Sequence, residues 1–194
     1  MYSPVAYIFG YGSLVDPNDF LISQYPDAEK IYGILDGYER HWEIAIDNMS
    51  PATDHKYYVD SETGERHNGY VGMLGLEKSP GAVCNGVAIL ADQELFDDIQ
   101  RRETSIYSIS DDLRDSFSTP LDYPLYTYLA SPEGYSNRSE AETLVIPRGY
   151  SETVEAAFES LGAKELETYL ETTRRSSAIL LDLDLFRLPG KEGI

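Results

Sequence analysis

Phe9-Gly10-Tyr11-Gly12-Ser13-Leu14 closes the apolar run Val5 to Phe9. A short apolar run that stops at glycine has the pattern of a buried strand ending in a tight turn. Beyond it, Asp16 can cap a helix and Pro17 suits a first helical turn, so residues 17–23 are predicted helical. Strand, glycine loop and helix in that order present backbone N–H groups and the Ser13 hydroxyl to an anion or polarised carbonyl. An ordinary strand-to-helix turn uses glycine in the same way, so the loop alone leaves both readings open.

Three common motifs do not fit these letters. A dinucleotide fingerprint needs a third glycine near Val15, and a valine stands there. A nucleophile elbow needs glycine two positions either side of the serine, but Ser13 has Tyr11 and Val15. A P-loop needs a Gly-Lys pair, and none follows.

Downstream, Ile31 to Asp36 and His41 to Asp47 are predicted as two strands around a turn at Gly37, with Trp42, Ile44 and Ile46 on one face. Tyr57 to Val59 and Tyr70 to Leu76 predict another hairpin, across the polar turn Asp60 to Arg66. Ser79-Pro80-Gly81 reads as a turn and Val83 to Leu90 as a strand, after which Asp92 caps a helix. Gly69, Gly72 and Gly75 mark bulges or bends, and curved, glycine-rich strands suit a barrel. Tyr123 to Ala130 and Thr143 to Ile146 are further strand candidates. Ser151 is placed as the cap of a helix ending at Gly162, with Val154, Ala157, Phe158 and Leu161 inward. A second helix carries Leu166, Tyr169, Leu170 and Thr173 on one face, and Ala178 to Leu188 is a closing strand.

In the helix after Asp92, Glu103 lies eight residues after Leu95 and four after Ile99, which puts its carboxylate on the apolar stripe. Burial and the helix carboxyl end both disfavour its charge, which raises its pKa and suits it to act as a general base. The competing reading ends the helix before Arg102 and pairs Glu103 with Arg101 or water. His41, His55 and His67 match no metal spacing, so no metal is expected. Most of the sixteen tyrosines fall at packing positions; Tyr11, Tyr107 and Tyr128 come near the candidate site.

At 194 residues and 42% hydrophobic, the chain has the size of one domain, expected over 1–194. A net charge of −19 argues against nucleic acid and anionic membrane partners. Cys84, the single cysteine, reads as a small core hydrophobe, and nothing demands an oxidising compartment. Met1-Tyr2-Ser3-Pro4 lacks a basic n-region and no apolar run is long enough to span a membrane, so the expected location is cytoplasmic.

The hexapeptide resembles the amino-terminal Tyr-Gly-Ser signature of the γ-glutamylcyclotransferase-like proteins. Arg101-Arg102-Glu103 with Tyr107 resembles the stretch that carries that family's catalytic glutamate. Gly37-Tyr38 to Trp42, Gly86-Val87-Ala88, Thr127-Tyr128 and Tyr150 before a helix fall in the matching order, so the resemblance covers nearly the whole chain. Ser108-Ile109-Ser110 stands where the family often has a basic residue, and the histidine-containing segment of the glutathione-specific branch is not evident.

The resemblance implies an α+β fold, a small mixed β-barrel with surrounding helices, with no cofactor. It also implies a small-molecule γ-glutamyl substrate held by Tyr11, Gly12, Ser13, Leu14, Tyr107 and Tyr128, and Glu103 as acid/base in its conversion to 5-oxoproline and a free amine. A binding module without turnover and a hydrolase or acyltransferase acting on the same bond stay open as alternatives.

Overall fold

The apolar run at the start of the chain forms β1 (Pro4–Gly10), buried from Ala6 onward. The computed structural model describes residues 3–54, 56–103, 107–130, 143–175 and 177–188. Met1, Tyr2 and His55 lie outside them.

The expected pair of strands around Gly37 is instead one strand, β2 (Lys30–Asp47). It runs antiparallel to β4 (Tyr70–Asp92) along almost its whole length, from Lys30 opposite Ile89 to Asp47 opposite Tyr70. Gly37 and the Ser79-Pro80-Gly81 segment are therefore not hairpin turns. They face each other at a register break between Asp36–Val83 and Tyr38–Lys78, and Gly37 (φ 80°) and Gly81 (φ 88°) take the left-handed backbone that such a bulge needs. The expected hairpin is corrected too: β3 (Lys56–Asp60) pairs with the carboxyl-terminal segment, and Tyr70 to Leu76 belongs to β4.

Asp92 caps α1 (Gln93–Glu103) as expected, its Oδ1 accepting from the Leu95 N–H at 3.1 Å. Then come β5 (Tyr107–Ile109), β6 (Leu125–Tyr126), β7 (Tyr128–Ala130) and β8 (Leu144–Pro147). The strand predicted over 123–130 is thus two pieces, broken at buried Thr127, whose hydroxyl donates to the Phe9 carbonyl at 2.9 Å.

α2 (Arg148–Leu161) begins three residues before Ser151, with Pro147 in the cap position, and ends at Gly162. Val154, Ala157 and Phe158 are buried as expected, while Leu161, in the last turn, is 39% exposed. α3 (Ala163–Thr172) leads into β9 (Thr173–Arg174). The closing segment divides at Asp182 into β10 (Ile179–Leu181) and β11 (Leu183–Arg187), because its halves join different partners, β8 and β3.

β4 is the spine of the large sheet. β2 and then β9 lie along one edge, β8 and β10 join its start on the other edge, and β1 and β6 join its end there. The register breaks curl this sheet into a half-barrel. It does not close as the sequence suggested: its outer strands β6, β9 and β10 are two or three residues long and, among the described residues, do not pair with one another. α1 packs on β1 and β4, and α2 and α3 pack together, over the main core of Ile8, Phe9, Leu35, Leu76, Ile89, Leu95 and Phe158. Cys84 is buried there. No helix among the described residues is long and apolar enough to cross a membrane.

Candidate active site

The glycine loop begins where β1 leaves the sheet. A 3-10 turn over Ser13–Val15 is closed by the Val15 N–H to Gly12 O and the Asp16 N–H to Ser13 O, each 3.0 Å. The N–H groups of Gly12, Ser13 and Leu14 precede the first of these bonds and have no partner within the turn. The α-helix predicted over 17–23 does not form; turns lead instead into a short 3-10 helix over Ile22–Gln24. Asp16 Oδ1 accepts from Asn18 N at 2.8 Å and Asp19 Oδ1 from Leu21 N at 3.0 Å, and these local bonds replace a helical start. Glycine is required at Gly10, because a Cβ there would lie 2.8 Å from the Leu14 Cβ.

Arg40 holds the loop from behind. It has no solvent exposure, yet none of the salt bridges among the described residues involves it. Its guanidinium lies beside the stacked rings of Tyr169 and Phe158, 4.3 Å and 4.8 Å from their centroids, which are 4.7 Å apart. It donates to Tyr11 O at 3.1 Å, Asn85 O at 2.9 Å, Asn85 Oδ1 at 2.7 Å and Thr173 Oγ1 at 2.8 Å. Neutral oxygens and ring faces thus carry a buried cation.

Glu103 is the last residue of α1, on the stripe of buried Leu95 and Ile99 and one turn beyond Ile99. Its side chain is 16% exposed and its Oε1 lies 3.2 Å from Arg102 Nε; Arg101 pairs with Asp98 instead. Arg102 also reaches Asp19 at 2.7 Å and donates to Ser13 Oγ at 2.8 Å, tying the helix end to the glycine loop. Burial raises the Glu103 pKa above the ordinary glutamate value, outweighing the cations Arg102 and Lys56.

Glu103 and the loop share one pocket, lined also by Phe9, Leu74, Tyr107, Tyr128 and Tyr150. Its cavity volume is small, about 40 Å³, and it opens to solvent on one side.

No family model matches the sequence, and no curated protein matches it. Among solved structures, one described as a γ-glutamyl cyclotransferase superposes with a TM-score of 0.54 and 11% identity, covering 89% of each chain. The fold is γ-glutamylcyclotransferase-like. An uncharacterised protein from Homo sapiens superposes with a TM-score of 0.54 at 12% identity, over 90% of this chain and 91% of its own. YkqA from Bacillus subtilis does so with a TM-score of 0.54 at 16% identity, over 87% of this chain and 54% of its own.

Within this γ-glutamylcyclotransferase-like fold, Tyr11, Gly12, Ser13, Leu14, Glu103, Tyr107 and Tyr128 all come to one pocket, from four separate stretches of chain. Their hydroxyls differ in what they offer. Tyr11 donates to Tyr128 O at 2.8 Å and Tyr107 to Leu74 O at 2.7 Å, so each presents lone pairs only. The Tyr128 hydroxyl is buried without a hydrogen-bond partner. Buried hydroxyls are ordinarily bonded, so this one is suited to a ligand.

The sequence did not single out Leu74, Arg40 or Lys56, and it named Tyr150 only as preceding a helix, not as part of the site. Arg40 did leave a trace, because it continues by twos the inward series Tyr38, Trp42 and Ile44, where a charge is out of place. His41 lies in β2 and His67 in a loop; no group of three metal-ligating residues is found among the described residues.

Proposed function

We propose that this protein is an enzyme that converts a γ-glutamyl amide or peptide to 5-oxoproline and the free amine. The observation that carries the proposal is the largely buried Glu103 carboxyl, its pKa raised, in one pocket with the Gly12 to Leu14 N–H groups, on a fold shared with a structure described as a γ-glutamyl cyclotransferase.

In this reaction the substrate's α-amine attacks its own γ-carbonyl. The new C–N bond closes a five-membered ring, and the bond from the γ-carbon to the leaving nitrogen breaks. Glu103, as carboxylate, takes the proton that the attacking amine must lose, and as acid returns it to the leaving nitrogen. A pKa above the ordinary glutamate value brings the two forms closer in energy at neutral pH, as one group serving both steps requires. N–H groups of the loop receive the substrate carboxylate or the developing oxyanion. They are held in place beforehand by Arg40 on the Tyr11 carbonyl and by buried Leu14. The Tyr128 hydroxyl donates to the bound γ-glutamyl group. The chain's own groups suffice for these steps, so the proposed enzyme needs no cofactor, and its expected setting is the cytoplasm.

The test is to incubate the protein with γ-glutamyl dipeptides, γ-glutamylamines and glutathione and identify products by mass spectrometry. Release of 5-oxoproline supports the proposal. Free glutamate would point to hydrolysis, and binding without any product to a non-catalytic module.

A further inference from the structure

Lys56 and Arg187 stand directly opposite one another across the ribbon of β3 and β11. Opposed residues project from the same face, and alternation places Tyr58 and Leu183, both buried, on that face too. Tyr57 and Phe186 stack on the other face, with ring centroids 4.8 Å apart. Lys56 and Arg187 therefore occupy the inward side of the ribbon, where both are half-buried.

Like charges directly opposed repel, and this pair occurs in a chain with 34 acidic residues against 15 basic ones. The nearest carboxylate on that face of β3 is Asp60, about 13 Å along the strand at roughly 3.3 Å per residue. Its Oδ1 is already bonded by the Glu62 and Thr63 N–H groups.

Neither Lys56 nor Arg187 lines the pocket, but their face lies near residues that do. Tyr58 lies within electrostatic range of pocket-lining Tyr150, and Lys56 within range of Arg102, Glu103 and Asp19. Arg102 is already compensated, by Asp19 at 2.7 Å and Glu103 at 3.2 Å. Among the described residues, Lys56 with its neighbours Arg187 and Arg102 gives three cations against the carboxylates of Asp19 and Glu103, an excess of one positive charge, and of two once Glu103 holds a proton. Burial and Arg187 push the Lys56 pKa down to about 8, which leaves it cationic at neutral pH.

We propose that Lys56 and Arg187 form an anion subsite beside the pocket, which binds the leaving group and selects γ-glutamyl compounds whose leaving amine is acidic. The inference rests on the γ-glutamyl reading above. Each added carboxylate gains a charge-assisted contact in a partly desolvated place.

The test measures binding to Glu103→Gln protein by calorimetry at neutral pH. It compares γ-glutamyl-ethylamine, γ-glutamyl-glutamine and γ-glutamyl-glutamate, whose leaving parts carry no carboxylate, one and two. The expected affinities rise along the series, by about tenfold between the last two, which match closely in shape. Lys56→Gln or Arg187→Gln in the same background flattens the series. Equal affinity for all three overturns the subsite and leaves the γ-glutamyl reading standing, whereas binding of none overturns both. If Glu103→Gln protein does not fold, the kcat/KM values of the native protein on the three compounds give the same ranking.

Discussion

Arg40 donates a hydrogen bond of 3.1 Å to the carbonyl oxygen of Tyr11 from a position with no solvent exposure. The strand that carries Arg40 is thereby coupled to the loop that faces the pocket. The same guanidinium also binds β4 through Asn85 and the end of α3 through Thr173, so four parts of the fold meet on one side chain.

Arg40→Met is expected to leave the oxygens of Tyr11 and Asn85 buried without their donor. The loss of stability is about 2–4 kcal/mol. In protein still folded at low temperature, turnover falls as well, because the Gly12 to Leu14 N–H groups lose their anchor. Thermal melting beside kinetics checks this, and unchanged kinetics in a folded variant would show that the loop is positioned without Arg40.

Tyr128→Phe removes a buried hydroxyl that has no partner in the protein. The melting temperature is expected to stay equal or rise, while kcat/KM falls about tenfold, the worth of one hydrogen bond to the substrate. Wild-type kcat/KM in this variant would mean that the hydroxyl does not touch the substrate.

The raised pKa of Glu103 has a consequence for stability with a defined sign. Folding disfavours its ionised form, so the cost is absent below the ordinary glutamate value of 4.5 and grows as pH rises through the raised folded value. Glu103→Gln is therefore expected to melt higher than the native protein at neutral pH, with the gap closing near pH 4. Melting curves at the two pH values check it, and a gap that widens on acidification contradicts the pKa direction.

The spacing Leu95, Ile99, Glu103 and the cap at Asp92 were legible because both are properties of a single helix, fixed by short-range geometry. The strand leading into the glycine loop was legible for the same reason. Gly37 and Pro80-Gly81 misled, because a left-handed glycine serves a hairpin turn and a bulge equally well, and only the partner strand decides between them. The pairing of β3 with β11 joins Lys56 to Arg187 across most of the chain, beyond the reach of any local signal. The helix at Pro17 failed because Asp16 and Asp19 bond the nearby backbone themselves. The barrel was overdrawn: bulges predict curvature, but closure depends on edge strands long enough to pair.

Turnover by Glu103→Gln protein tests the central claim most directly, because the amide keeps the shape of the carboxyl group and cannot carry the proton. The measurement is 5-oxoproline release from the best γ-glutamyl substrate, with native and variant protein compared at equal folded concentration. The account predicts a loss of about 100-fold to 10,000-fold with substrate affinity largely retained. Near-native release of 5-oxoproline by the variant would contradict it.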